Sequence, residues 1–200
     1  MNVLGRTNLE YIRWLVSKET QISEVYFREY QYPAALPGTP PALRDKLFSL
    51  KRREFLKIGD LETRMEELAK NRNIGIESLV RSGRHKFHIP MMDFSLPKNT
   101  NSIRLLKKVF GGLISKRFPK GVFFETDNSY HYVGKNLISV HEFIEFLHWS
   151  LIATYRKGRK LHENIVDVPF VGYSLIKRSA CLRITSYPEK DYLPKAVLLI

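Results

Sequence analysis

Apolar positions change period several times along the first third of the chain. Leu9, Ile12 and Val16 share one helical face behind Thr7-Asn8-Leu9-Glu10, which has capping-box spacing, so a short helix is predicted to end before Thr20. Ile22 to Gln31 alternates and is rich in β formers, which predicts a strand. Tyr32-Pro33 opens a loop through Pro37-Gly38 and Pro40-Pro41. From Ala42 to Arg53 the spacing of Leu43, Leu47 and Leu50 predicts a helix, closed by Lys51-Arg52-Arg53 where cations complement the helix dipole. Leu61, Met65 and Leu68 predict a further amphipathic helix over Leu61 to Lys70.

A basic lead-in from Arg84 then runs into a short apolar strand ending at Asp93, with His85 and His88 reading as surface residues. Pro97 to Asn101 is a loop. Ser102 to Phe118 places Ile103, Leu106, Phe110, Leu113 and Ile114 at helical spacing, with Arg104, Lys107, Lys108, Lys116 and Arg117 mostly on the other side. Gly111-Gly112 weakens that helix or marks close packing. Val122 to Gly134 reads as a hairpin turning through Asp127-Asn128, and Ser129 and His131, two apart, share one strand face. Ser139-Val140-His141-Glu142 is a second capping box, opening a helix to about Tyr155 with Phe143, Ile144, Leu147 and Leu151 inward. After the basic turn Arg156 to Lys160, the stretches Ile165 to Gly172, Ala180 to Ser186 and Lys195 to Ile200 read as strands.

That order predicts an α+β fold, a mostly antiparallel sheet with helices packed on one face. Residues 1–86 form a helix-and-strand N-terminal extension packed on the same core, and residues 87–200 the functional module. One continuous domain is the alternative.

Composition narrows the class of partner. Of 200 residues, 33 are Lys or Arg and 20 Asp or Glu, a formal net charge of +13 that favours a polyanion, nucleic acid before an anionic membrane. The apolar fraction of 44% and aromatic fraction of 12% are those of a chain with a real core. The single cysteine, Cys181, has no internal partner, which fits a reducing cytoplasm. No stretch reads as a signal peptide or a membrane span, so no membrane role is expected.

Three pieces then line up in order: Met91-Met92-Asp93-Phe94-Ser95, Ser129-Tyr130-His131, and Val166-Asp167 followed by Tyr173, Arg178 and Leu182-Arg183-Ile184-Thr185. Together they resemble the three motifs of the archaeo-eukaryotic primase superfamily: acid-x-acid, Ser-x-His and apolar-Asp. The third piece is the most specific and looks like the primase-polymerase branch, with the small bacterial primase 1D-like proteins the nearest group. The resemblance covers roughly Phe87 to Lys190.

What the resemblance implies is an RNA-recognition-like catalytic module that joins nucleotides on a nucleic-acid template, in DNA replication or repair, using Mg²⁺ or Mn²⁺. Asp93 and Asp167 would be the metal carboxylates. Ser129 and His131 would bind the phosphates of a nucleoside triphosphate, His131 acting in catalysis, and Arg183 would add a charge-assisted contact. The chain departs from the pattern at Ser95, which stands where the second acid belongs. Ser95 itself or Glu125, if inward-facing, would complete the metal shell. The alternatives are a catalytically reduced module that binds nucleic acid or nucleotide without polymerising, and an RNA-recognition-like domain stacking bases on Tyr130, Tyr132 and Tyr173. Single-stranded or template DNA is the expected partner, with any helicase on a separate chain.

Overall fold

A strand that periodicity did not reveal organises the chain. In the computed structural model, which describes residues 4–31, 45–57, 59–67, 72–114, 120–157, 161–185 and 193–200, Arg72–Ser82 is the longest strand, β3. Before it come α1 (Asn8–Lys18), β1 (Glu24–Gln31), β2 (Lys46–Lys51), α2 (Arg52–Leu56) and α3 (Asp60–Glu66). After it come β4 (His85–His88), β5 (Met91–Asp93), α4 (Thr100–Leu105), a π-helical turn (Leu106–Gly111), α5 (Gly112–Ile114), β6 (Gly121–Glu125), β7 (Tyr130–Gly134), β8 (Ile138–Ser139) and α6 (Val140–Leu151). The chain closes with β9 (Thr154–Lys157), β10 (Leu161–Asn164), α7 (Val168–Lys177), β11 (Cys181–Arg183) and β12 (Lys195–Leu199).

The fold is α+β with antiparallel sheets. One sheet runs β2-β1-β3-β4-β8, with β11 also on β3, and a second runs β12-β6-β7-β5. β1 pairs along one edge of β3, while its other edge is shared by β11, opposite Gly75 to Glu77, and β4, opposite Leu79 to Ser82. The change-over is at Ser78, whose N–H donates to the Ala180 carbonyl and whose carbonyl accepts from Ile89. From there the chain crosses through Ile89-Pro90 into β5 of the second sheet. The β3–β4 hairpin thus runs through residue 86, and a strand from the last fifth of the chain completes the sheet built by the first 82 residues.

Both predicted capping boxes form. Thr7 caps α1 with Glu10 reciprocating, and Ser139 caps α6 with Glu142. Leu9, Ile12, Leu15 and Val16 are buried, as the spacing required. Other expectations fail. The segment expected as a helix over Ala42 to Arg53 is strand β2 from Lys46; Phe48 stacks on Phe27 at 5.2 Å and Leu47 is exposed. Lys-Leu-Phe-Ser-Leu-Lys alternates as well as it spirals, and pairing with β1 decides the matter. Of the basic cluster after it, Arg52 donates to the carbonyls of Val16 and Ser17, so the dipole it complements is that of α1. Ile165 to Gly172, expected as a strand, is bridge and then helix, because Asp167 caps α7 and Pro169 sits in its first turn. The helix from Ser102 begins at Thr100 and loosens into the π-turn before Gly112. The loop over 32–44, Leu68 to Lys70, Lys116 and Arg117 lie outside the described residues, as do Gly158 to Lys160 of the basic turn.

His88, expected at the surface, is buried. Its ring stacks on Phe143 at 4.0 Å and its Nδ1 lies 2.9 Å from Ser78 Oγ. Burial, helped by the charge of Lys86, lowers its pKa from 6.5 to about 4. The unfolded chain therefore binds a proton that the folded chain refuses, and stability falls as pH drops from 6.5 toward 4. The expected slope reaches about 1.4 kcal/mol per pH unit from this group. Urea midpoints at pH 7 and pH 5 measure it, and a His88→Gln variant is expected to remove this group's share of the dependence, leaving that of His131, which acts in the same direction over the same window. An unchanged slope in the variant would place the sensitivity elsewhere.

Candidate active site

β5 is short and flanked on both sides. On one side it pairs with β7 in the register Met91↔Val133, Met92↔Tyr132, Asp93↔His131. On the other, Phe94 bridges to Val166, Ser95 N–H donates to the Ile165 carbonyl at 3.1 Å, and Asp167 N–H donates to the Asp93 carbonyl at 2.9 Å. Residues opposite each other in a ladder share a face. Asp167, Asp93 and His131 therefore stand in one row across three neighbouring segments, spaced by about 4.8 Å from strand to strand. Phe124 and Ala196 continue the row. The alternate positions, Phe94, Phe123 and Tyr132, turn to the opposite face and pack around Phe110. Strand alternation thus puts Asp93 and its polar neighbours on one face of β5 and an aromatic cluster on the other.

Within the row, the Asp93 side chain is 32% exposed and its Oδ1 accepts the Phe94 N–H at 2.8 Å. The same oxygen is 3.7 Å from His131 Nε2. Burial, and secondarily the positive charge of Arg183, push the His131 pKa down from 6.5 to about 3. The imidazole is therefore neutral at physiological pH, and its approach to Asp93 is not an ion pair. His131 Nδ1 is buried and has no hydrogen-bond partner in the protein. Asp167 is half-buried, and its Oδ1 accepts the Phe170 N–H at 2.9 Å as the cap of α7. Capping holds one carboxylate oxygen and leaves the second.

Arg183 belongs to the other sheet and stands near enough for its charge to act on His131. β11 sets it opposite Gly75, its Nη1 donates to the Thr185 carbonyl, and its own carbonyl accepts from Asn8 Nδ2 at 2.8 Å. Asn8, in the first turn of α1, thus ties the N-terminal helix to the site. In the sequence it is part of a capping box; its one further signal is a polar side chain at helical spacing with Tyr11, Ile12 and Leu15, which are buried.

Ser129 stands one residue ahead of β7. Its N–H donates to Thr126 Oγ1 at 3.0 Å, its carbonyl accepts the Thr126 N–H at 2.9 Å, and its hydroxyl donates to the Phe94 carbonyl. Ser95 is exposed, two residues beyond Asp93 on the same face, with its hydroxyl 3.4 Å from the carbonyls of Asn164 and Val166.

Glu125 does not join the row. It is opposite Tyr130 and Lys195, one position out of phase with His131, and so faces the other side of the sheet, where Lys98 Nζ lies 3.4 Å away. The expectation that it replaces the missing acid is corrected by register alone. Tyr130 and Tyr132 are fully buried and cannot stack bases; Tyr173, on the outer face of α7, is 37% exposed.

Among the described residues, no three His, Cys, Asp or Glu side chains close around a point as a finished metal cage. Two adjacent carboxylates still suit a hard divalent cation, since Mg²⁺ commonly takes one or two carboxylates and fills its shell with water and substrate phosphate oxygens. Asp93 and Asp167 fit that kind of site, with the Ser95 hydroxyl on the same face.

No helix among the described residues is long and apolar enough to cross a membrane. No curated protein and no solved structure matches the chain significantly. The profile of one protein family, archaeo-eukaryotic primase 1D-like, matches residues 54–195, which contain Asp93, His131 and Asp167. With that match over most of its length, the chain belongs to the archaeo-eukaryotic primase 1D-like family.

Proposed function

We propose that this protein is a primase-polymerase-type nucleotidyltransferase that makes or extends short strands on a nucleic-acid template with Mg²⁺ or Mn²⁺. The observation that carries the reading is the row Asp167–Asp93–His131, which brings three residues distant in sequence onto one face by register. Asp93 and Asp167 would hold the divalent cation, which would supply a lower pKa for the attacking 3′-hydroxyl and neutralise charge on the departing pyrophosphate. His131, neutral and with Nδ1 unsatisfied, donates a hydrogen bond to a phosphate oxygen of the incoming nucleoside triphosphate; a ligand oxygen there removes the penalty of a buried orphan. Arg183 adds charge beside it. The protein's surplus of cations draws the template strand. Such an enzyme acts in the cytoplasm in DNA replication or repair, with strand opening left to a helicase on another chain.

The test is incorporation of labelled nucleotides by the full chain on single-stranded and primed templates, with each metal in turn. Product that appears with Mg²⁺ or Mn²⁺ and vanishes on chelation is expected. If no template, nucleotide and metal combination yields product, polymerisation is ruled out. Ser95 in place of an acid favours one other reading, a reduced module that binds strands or nucleotides only. Its mark is salt-sensitive strand binding without product.

A further inference from the structure

The Ser-x-His pair divides into two roles. A serine hydroxyl has one proton to give. In Ser129 that proton goes to the Phe94 carbonyl, while its N–H and carbonyl are both spent on Thr126. A phosphate oxygen is an acceptor and needs a donor, so Ser129 has nothing left to offer it. His131, two residues on, is the reverse case, a buried ring whose Nδ1 meets nothing in the protein.

The Phe94 carbonyl that Ser129 holds lies between the two residues that face the site from β5 and its extension. Phe94 N–H donates to the Tyr130 carbonyl at 3.1 Å and, more closely, to Asp93 Oδ1 at 2.8 Å. Ser129 therefore clamps the carbonyl side of Phe94, the residue whose N–H orients the Asp93 carboxylate. The Thr126–Ser129 turn bonds hold the clamp itself in place.

We infer that Ser129 is a positioning residue: it fixes the Asp93–Phe94–Ser95 segment against the hairpin so that the Asp93 carboxylate is set for metal, and it does not bind the nucleotide's phosphates. This rests on the nucleotidyltransferase reading for its consequence in catalysis, but the clamp is a property of the folded chain.

Two readouts on Ser129→Ala, Ser129→Thr and His131→Ala test it. The first is amide hydrogen exchange at Phe94, Ser95 and Asp167. Ser129→Ala is expected to speed it by about fivefold to tenfold, the weight of one internal hydrogen bond, Ser129→Thr to restore it, and His131→Ala to leave Ser129's clamp unchanged. The second is titration of the full chain with Mn²⁺ and with a nucleoside triphosphate. Ser129→Ala is expected to weaken Mn²⁺ binding while metal-free triphosphate affinity stays within about twofold, and His131→Ala to do the opposite. Unchanged exchange in Ser129→Ala overturns the inference, as does a loss of triphosphate affinity equal to that of His131→Ala. If the wild-type chain binds neither metal nor triphosphate, the nucleotidyltransferase reading falls, and the exchange arm alone decides whether Ser129 is the clamp.

Discussion

Asp93→Asn is expected to reduce metal-dependent nucleotide incorporation by about 10²–10³-fold while leaving the fold intact. The charge stabilisation a bound cation supplies is worth several kcal/mol, and each ~1.4 kcal/mol is a factor of ten in rate. The amide keeps the shape of the carboxylate, and its oxygen still accepts the Phe94 N–H. What is removed is the negative charge. Asp167 allows a cleaner version. Its structural duty is to cap α7, and asparagine caps as well as aspartate. Asp167→Asn is therefore expected to lose activity with an unchanged melting temperature, whereas Asp167→Ala loses activity and also about 1 kcal/mol of stability. Denaturation curves beside incorporation rates separate the two effects. Wild-type rates in both asparagine variants would remove the carboxylates from the chemistry.

The largest expected stability effect lies behind the row. Phe110 is fully buried at the π-turn, with ring centroids at 4.9 Å from Phe94, 5.2 Å from Tyr132, 5.9 Å from Phe123 and 6.2 Å from Phe146. Truncating a buried phenylalanine costs about 3–5 kcal/mol through lost transfer energy and the cavity left behind. A domain of this size has roughly 5–15 kcal/mol in total, so Phe110→Ala is expected to remove a large share of it. The urea midpoint reads this directly. Because Phe94 is one of the rings left facing the cavity, the variant is also expected to be less active than its remaining folded fraction accounts for. A shift below about 1 kcal/mol would mean that the aromatic cluster repacks and does not brace the site.

Asp93, His131 and Asp167 were legible in the sequence because each motif is local: a few residues of fixed type and spacing. Their alignment was not, since it depends on two ladders whose register no single segment encodes. Glu125 shows the difference. From sequence it is an acid near the right histidine; only its pairing with Tyr130 reveals that it faces away. The helix-like reading of Ala42 to Arg53 and the strand-like reading of Ile165 to Gly172 failed in opposite ways. In the first, tertiary pairing overrode a leucine spacing that suits both periods. In the second, Val166, Val168 and Val171 favour a strand, and the cap and proline signals of Asp167 and Pro169 override them. β3 escaped notice because Asn73, Gly75, Glu77 and Ser78 break its apolar pattern. All four are buried and serve contacts inside the sheet: Glu77 meets Arg28 at 2.5 Å, and Gly75 leaves room for Cys181.

The shared edge of β3 also sets the order in which the chain can be completed. Its first half waits for Cys181–Arg183, about a hundred residues downstream, and Thr7 bridges to Lys195. Contacts so distant along the chain make for slow folding, and a nascent polypeptide that has emerged only through β10 carries an unpaired strand edge. Asp167 and Arg183 arrive in the same late stretch. The acidic row, its arginine and the closing strand are thus finished together, so a chain released early has neither a sealed sheet nor a complete set of groups for handling nucleotides.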